Sequence, residues 1–147
     1  MTVVDTQQAI LTAIYNILTA DTSLKASMGG TVRLSPVWAP PDSEFPYLVH
    51  RIDIRAVDGE FVNRAGTYFL DIWSYSPNAS ECLAIRKRII ELLDVREITA
   101  TEITAGRLQL QTDGFVPEST EQIWHYATQW GIRYSRASEI DGILSRT

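Results

Sequence analysis

The amino-acid sequence predicts an α+β fold: a single, mostly antiparallel β-sheet with two α-helices packed on one face, in the order α-β-β-β-α-β-β. Three observations support this prediction. Two segments place apolar residues at helical spacing, several alternate apolar and polar residues as strands do, and stretches rich in proline or glycine separate them. Residues 1–136 are expected to form one domain and residues 137–147 a C-terminal extension, because a chain of 147 residues suits a single core.

The first helix is predicted from about residue 6 to residue 20. Asp5 and Gln8 have the spacing of a capping box, and apolar residues then recur on one helical face. Residues 21–28 can add one short helical turn, which Gly29-Gly30 would end because glycine readily adopts a positive φ angle. A short strand is expected over residues 31–35.

Four prolines dominate the next segment, "SPVWAPPDSEFPYLVHR". Because each proline removes a backbone donor and fixes one torsion, residues 35–46 are expected to form an ordered or extended loop. Alternation then predicts a half-buried strand over residues 47–55, and Asp58-Gly59 marks a chain reversal. The following strand, residues 66–75, carries apolar residues on both faces and should therefore be covered on both sides.

The second half of the chain predicts one helix and two long strands. Asn78 and Glu81 form a second possible capping box, and an apolar stripe continues from there to about Asp94. The stretch "GRLQLQTD" has one polar, solvent-exposed face and one apolar, buried face. The stretch "WHYATQWGIRY" places its large aromatic residues on one side. The open face of the sheet would show Phe69, Trp73 and this late aromatic series, unless the series lies beneath the helices.

Composition excludes several functional classes. A net charge of −5 without clustered Lys and Arg argues against nucleic-acid binding. The apolar stretches are shorter than the roughly 20 residues needed to cross a bilayer, and the N-terminus does not read as a secretion signal. The single cysteine, Cys82, excludes an internal disulfide and is expected to be buried and inert.

No catalytic, metal or cofactor motif is present in the sequence. His50 lies on the apolar side of its strand, as a hydrogen-bonded core histidine would, whereas His125 is expected near solvent or an interface. Asp71 is the one carboxylate within an apolar strand, and it is expected to pair with an Arg across a strand or subunit boundary. Arg86-Lys87-Arg88 is predicted to be a solvent-exposed helix face, with Lys87 paired to Glu91. The acidic residues of the loops, Asp113 and Glu118 among them, are predicted to be surface residues.

The chain resembles the tail terminator, or tail completion, proteins of long-tailed bacteriophages over roughly residues 7 to 136. The resemblance rests on "QQAILTAIYNILTADTSLKASMGG", "FPYLVHRIDI", "GTYFLDIWSYSPNASECLAIRKRIIELL" and the late aromatic strand. It implies a homo-oligomeric ring, usually of six subunits, that caps the tail tube at its head-proximal end and stops its polymerisation. It implies as partners the chain itself, the tail tube protein and a head-completion or neck protein, with DNA only passing through the lumen and no membrane. It also implies a virion location after assembly in the host cytoplasm.

Large apolar side chains left exposed on one face need a partner, because burying each one contributes roughly 1.5–3 kcal/mol. We therefore expect an oligomer or partner interface among six residues. They are Trp38, Phe45, Asp58, Phe61, Phe69 and Trp73. The prolines would hold Trp38 and Phe45 ready to dock on a neighbour, and the alternative is a clasp within one molecule.

Other functions remain open at this stage. The chain could be another neck or tail-tube component, or a small-molecule-binding α+β module. An enzyme is the least favoured class, since the candidate acids, bases and nucleophiles are isolated from one another.

Overall fold

The computed structural model describes residues 6–56, 63–100 and 103–136. Within these ranges the chain forms three helices and six strands. They are α1 (Thr6–Ala20), α2 (Thr22–Ser27), β1 (Leu34–Pro36), β2 (Tyr47–Ala56), β3 (Asn63–Tyr75), α3 (Ser80–Leu93), β4 (Glu97–Ala100), β5 (Ile103–Val116) and β6 (Ile123–Arg136). The predicted α+β order is confirmed, with one additional strand, β4.

The six strands form one curled sheet in the order β1-β2-β3-β6-β5-β4. β1 pairs with β2 in parallel, and every other neighbouring pair is antiparallel. The hairpin between β5 and β6 therefore inserts β6 beside β3, so that the two longest antiparallel pairings lie at the centre of the sheet. The predicted mostly antiparallel sheet is confirmed.

The core lies between one face of this sheet and the two long helices. α1 buries Ile10, Ile14 and Leu18, and α3 buries four residues at helical spacing. The four α3 residues are Cys82, Ile85, Ile89 and Leu93. Both helices therefore cover the same face of the sheet, hereafter the covered face, and the opposite face is called the open face.

The late aromatic series lies on the covered face, beneath the helices. Tyr126, Trp130 and Tyr134 are all buried there. The Trp130 indole N–H donates to Thr128 Oγ1 at 2.8 Å, and Thr128 Oγ1 in turn donates to the Leu70 carbonyl at 2.7 Å. Three of the large rings are therefore sheltered within one protomer, which leaves Phe69 and Trp73 on the open face.

Several strand and helix ends differ from the prediction. β4 was missed because it has four residues with a single buried side chain, Ile98, so its alternation is too short to identify. The first strand begins at Leu34 rather than residue 31.

The predicted capping box of the third helix is wrong. Glu81 accepts a hydrogen bond from Ser74 Oγ at 2.6 Å instead, and Asn78 Oδ1 accepts the Ser80 N–H at 2.9 Å. Asp5, from the first capping box, lies outside the described residues.

The basic run on α3 is an anchoring element rather than a solvated face, which corrects the prediction. Arg88 binds Asp21 through two contacts of 2.7 and 2.8 Å and also reaches Glu91 at 2.9 Å. Asp21 simultaneously caps α2 by accepting the Leu24 N–H at 2.8 Å. Arg88, and not Lys87, is thus the partner of Glu91, because the ion pair that ties α2 to α3 holds its side chain nearby.

Asp113 is likewise not a surface residue of an acidic loop. A register shift between Leu110 and Thr112 turns the end of β5 so that Asp113 faces α3. There Asp113 Oδ2 accepts from Arg86 Nε at 2.8 Å and from the Tyr126 hydroxyl at 2.7 Å. Burial raises the pKa of Asp113, but the bonds from Tyr126 and Arg86 outweigh it, so the pKa lies below its ordinary value.

Candidate assembly interface

Strand register sets which side chains meet on the open face. Tyr47 lies opposite Trp73, and Trp73 lies opposite His125, so these three rings form one row across β2, β3 and β6. Farther along the strands, Thr67 lies opposite Gly131 on β6, and Gly131 lies opposite Gln109 on β5. The open face is therefore aromatic at one end and polar at the other.

The aromatic end is a connected cluster, here called the aromatic cluster. The Trp73 ring stacks on His125 with centroids 3.8 Å apart and lies 6.1 Å from Tyr47. Phe45 packs against Tyr47 at 5.2 Å and against Tyr75 at 5.9 Å. Phe45 and Tyr75 remain exposed, whereas Tyr47 and Trp73 are half-buried by their neighbours. The segment rich in proline thus covers only the margin of the open face.

His125 is held by two carboxylates. Its Nε2 lies 2.8 Å from Asp71 Oδ2, and its Nδ1 lies 3.1 Å from Glu118 Oε1. Burial lowers the pKa of His125, but the bonds and charges of Asp71 and Glu118 outweigh it and place the pKa above its ordinary value. Because each ring nitrogen faces an acceptor, the doubly protonated imidazolium fits this site. The partner of Asp71 is therefore a histidine and not the predicted arginine, and Glu118 is not simply a surface charge.

Phe69 is covered by a cation. The Arg51 guanidinium lies 3.8 Å from the centre of the Phe69 ring, and Arg51 also pairs with Asp53 at 3.0 Å. Such stacking contributes roughly 0.5–1 kcal/mol at an exposed site. Phe69 is therefore half-buried by its own chain, and a partner would have to displace or extend this stack.

Residues 37–46, here called the proline arm, project beyond β1. The arm is anchored at both ends: the Val37 N–H donates to the His50 carbonyl at 2.9 Å, and Arg33 reaches Glu44 at 3.1 Å and the Pro46 carbonyl at 3.1 Å. Between these anchors, Trp38 leaves 80% of its surface exposed. An ordered arm that presents a bare indole needs little further ordering to bind a partner.

The polar end of the open face holds a groove of about 360 Å³, here called the polar groove. Ala65 and Gly131 are among the small residues that line it. A side chain at position 131 would place its Cβ only 2.7 Å from the Gln111 amide nitrogen, so the glycine lets Gln111 lie across β6. The amide- and hydroxyl-bearing residues of its walls are Thr67, Gln109, Gln111 and Gln129.

Two arginines flank the polar groove. Arg107 on β5 and Arg133 on β6 are opposite each other in register, and both are exposed. Neither forms an ion pair with another side chain in the described ranges. In a chain of net charge −5, this pair is a local positive site for which the described residues supply no ion-pair partner.

The predicted interface residues fall into three groups. Trp38 and Phe45 lie on or at the end of the proline arm, and Phe69 and Trp73 lie on the open face. Asp58 and Phe61 lie outside the described residues. Sequence reasoning missed the stack on His125 and the polar groove, because both depend on which strands pair and in which register.

The two residues of the sequence that were expected to be buried, one histidine and the cysteine, both lie in the core. His50 is buried, as predicted, with the Tyr68 hydroxyl 2.8 Å from its Nδ1, and burial lowers its pKa to about 4. Cys82 is also buried, as predicted, and burial followed by the charge of Glu81 raises the pKa of its thiol to about 11. Over the described ranges, no group of three or more His, Cys, Asp or Glu side chains is arranged to hold a metal ion. None of the helices in those ranges is long and apolar enough to cross a bilayer.

Comparison with known proteins identifies the fold. No protein-family model matches the chain, and no curated protein matches it. Among solved structures, the chain is similar to a protein in the virion of a native gene transfer agent particle, with a TM-score of 0.73 at 14% sequence identity. The similarity covers 87% of this chain and 96% of that one, so the two proteins share one fold over nearly their whole length.

Proposed function

We propose that this protein is a structural, non-enzymatic component of a phage-like virion. The observation that carries the proposal is the shared fold with a protein of a gene transfer agent virion, which spans nearly all of both chains. The fold alone does not define a function. The surface adds support, because the most prominent exposed features are apolar and aromatic rather than a reactive pocket.

Within such a particle, we infer that the protein is a tail terminator. Copies would close into a homo-oligomeric ring, with six subunits as the expected number, at the head-proximal end of the tail tube. The ring would stop tube polymerisation and bind a head-completion or neck protein on its other side. The resemblance in sequence layout favours this role, and the bare Trp38 and the aromatic cluster supply surfaces that need a partner.

The acidic character of the chain suits a channel through which DNA passes. With a charge of −5 on each copy, a ring would repel the phosphate backbone within a screening length of about 8 Å, which favours sliding over adhesion. We place the inter-subunit or tube contacts at Trp38, Phe45, Phe69 and Trp73, together with Asp58 and Phe61. Residues 137–147 would add a further contact to a neighbouring copy.

Native mass spectrometry and negative-stain electron microscopy of the purified chain test this function. Closed rings that co-sediment with tail tubes, and that stop tube growth when added to polymerising tube protein, would support the terminator. Open tubes made of this chain would instead support a tail-tube subunit. A chain that stays monomeric at high concentration and does not bind tail tubes would refute the proposed role.

A further inference from the structure

Building on the ring proposed above, we propose that the polar groove of each copy receives the proline arm of the next copy. Trp38 would lie in the groove against Ala65 and the Gln111 amide, beside the cross-strand pair Arg107 and Arg133. Each copy would donate one arm and accept one arm. Such a head-to-tail contact repeats around a ring until the rotation closes it.

The positions of arm and groove exclude the same contact within one copy. The arm leaves the sheet at its β1 edge, where the Val37 N–H is bonded to the His50 carbonyl. The groove is lined by residues of β3, β6 and β5, and its central strand, β6, is three strand spacings away, which is roughly 14 Å at about 4.8 Å per strand. This span is longer than an indole side chain, and Trp38 is in fact 80% exposed. The acceptor of the arm must therefore belong to another molecule.

The groove has the shape and the groups that an indole needs. A volume of about 360 Å³ holds roughly twelve waters at about 30 Å³ each, so one indole fits with a few bridging waters. Ala65 has a small side chain and the Gln111 side chain lies across Gly131, so a flat ring can lie against Ala65 and the face of the Gln111 amide. A glutamine carbonyl from Gln109 can accept the indole N–H, and arginine guanidinium groups favour the faces of tryptophan rings.

Charge complementarity also favours the proline arm as the occupant of the groove. The proline arm carries Asp42 and Glu44 and no basic residue, whereas the residues that line the groove include Arg107 and Arg133 and no acidic residue. Glu44 is already paired with Arg33, which leaves Asp42 exposed on the arm. Docking would bring the Asp42 carboxylate toward two arginines that have no ion-pair partner in the described ranges, and would so complement their charge.

Disulfide trapping between two singly substituted chains tests the contact. Ala39→Cys and Gln109→Cys are made separately, mixed and oxidised; Ala39 is chosen so that the Trp38 indole is kept, and Cys82 can stay, because it is fully buried. We expect cross-linked dimers only in the mixture, and in the double variant a ladder that ends at the ring size. In one copy the two positions are four strand spacings apart, roughly 19 Å, far beyond the reach of a disulfide. The matched control pairs Ala39→Cys with Tyr15→Cys on α1, and it should give no cross-link.

A pair of charge reversals provides a second, independent measurement. R107E/R133E should abolish ring formation while the thermal unfolding of the monomer stays intact, since both side chains are exposed. K87E/R96E changes the net charge by the same amount at exposed positions outside the groove, and it should still form rings.

Three results separate this inference from the proposed function. Rings with the Ala39–Gln109 cross-link, lost in R107E/R133E, support both. Rings that form without the cross-link and tolerate R107E/R133E overturn the arm-to-groove contact but remain consistent with a tail terminator. If those rings also retain DNA in a salt-dependent way, and R107E/R133E abolishes that binding, the groove binds phosphates instead. A chain that never assembles overturns both.

Discussion

Replacing Trp38 with Ala should weaken assembly without affecting the fold. Trp38 exposes 80% of its surface, and its backbone N–H donates to the Pro36 carbonyl at 2.7 Å, which alanine would keep. Exposed substitutions of this kind usually change the free energy of unfolding by less than about 0.5 kcal/mol. The variant should therefore unfold in urea at the same midpoint as the original chain.

The expected loss of association follows from the exposed area. A tryptophan offers about 200 Å² for burial, so docking an indole that is 80% exposed removes about 150 Å² from water. At about 25 cal/mol per Å² this contributes about 4 kcal/mol, and ordering the side chain costs about 1 kcal/mol. The net loss of about 3 kcal/mol corresponds to about 100-fold weaker binding at every interface of the ring.

The assay is light scattering coupled to size exclusion over a dilution series, with native mass spectrometry at each concentration. Tyr15→Ala is the control, because Tyr15 is an aromatic residue on α1 that is 44% exposed. It should leave the dissociation concentration unchanged. A folded Trp38→Ala variant that dissociates at the same concentration as the original chain would refute the view that the arm carries the contact.

Three further predictions concern the protomer itself. Asp21→Ala removes both the cap of α2 and the ion pair with Arg88, and should lower the free energy of unfolding by about 2 kcal/mol, whereas Asp21→Asn keeps an acceptor and should cost less. The hydrogen bond from Arg88 is the main cause, with that of the Leu24 N–H, of the lowering of the Asp21 pKa from 3.8 to about 2. This stabilisation is therefore present above pH 3.8 and disappears as the pH falls toward 2. The pKa of His125 is raised, so its stabilisation is complete below the ordinary histidine value of about 6.5 and is lost as the pH rises through the folded value; His125→Gln should flatten that pH dependence in urea unfolding. Trp130→Ala empties a fully buried site and should cost about 3–5 kcal/mol, measured by thermal and urea unfolding.

Each of these has an outcome that contradicts its reasoning. Equal stability of Asp21→Ala and Asp21→Asn would mean that the cap of α2 contributes nothing beyond the ion pair. An NMR titration that places His125 below its ordinary pKa would show that burial outweighs its two carboxylates. A Trp130→Ala variant within about 1 kcal/mol of the original chain would mean that the covered face can collapse around the space, contrary to the packing described here.

Local patterns in the sequence were sufficient for most of the elements. The helices α1 and α3 follow from apolar residues at helical spacing, and the buried state of His50 and Cys82 follows from their place within those local patterns. Period-2 alternation likewise located β2 and β3, and so assigned Trp73 to the open face. These properties depend on neighbours a few residues apart, which a linear pattern records.

Local sequence patterns did not predict the contacts between distant segments. Pairing Asp71 with an arginine was a reasonable expectation, but the register of β3 against β6 places His125 beside it instead. The anchoring role of Arg88 depends on the position of α2 against α3, which no local pattern encodes.

By itself, the sequence determined the α+β class, the order of the main elements and which residues of each strand share a face, because these follow from short-range backbone geometry and from the need to bury apolar area. Only the tertiary structure decided that the late aromatic series lies under the helices, that Trp73 stacks on His125, and that Arg107 and Arg133 flank one groove. The physical reason is that β-strands acquire their neighbours through long-range pairing, and a register set between segments far apart in the chain determines which side chains meet.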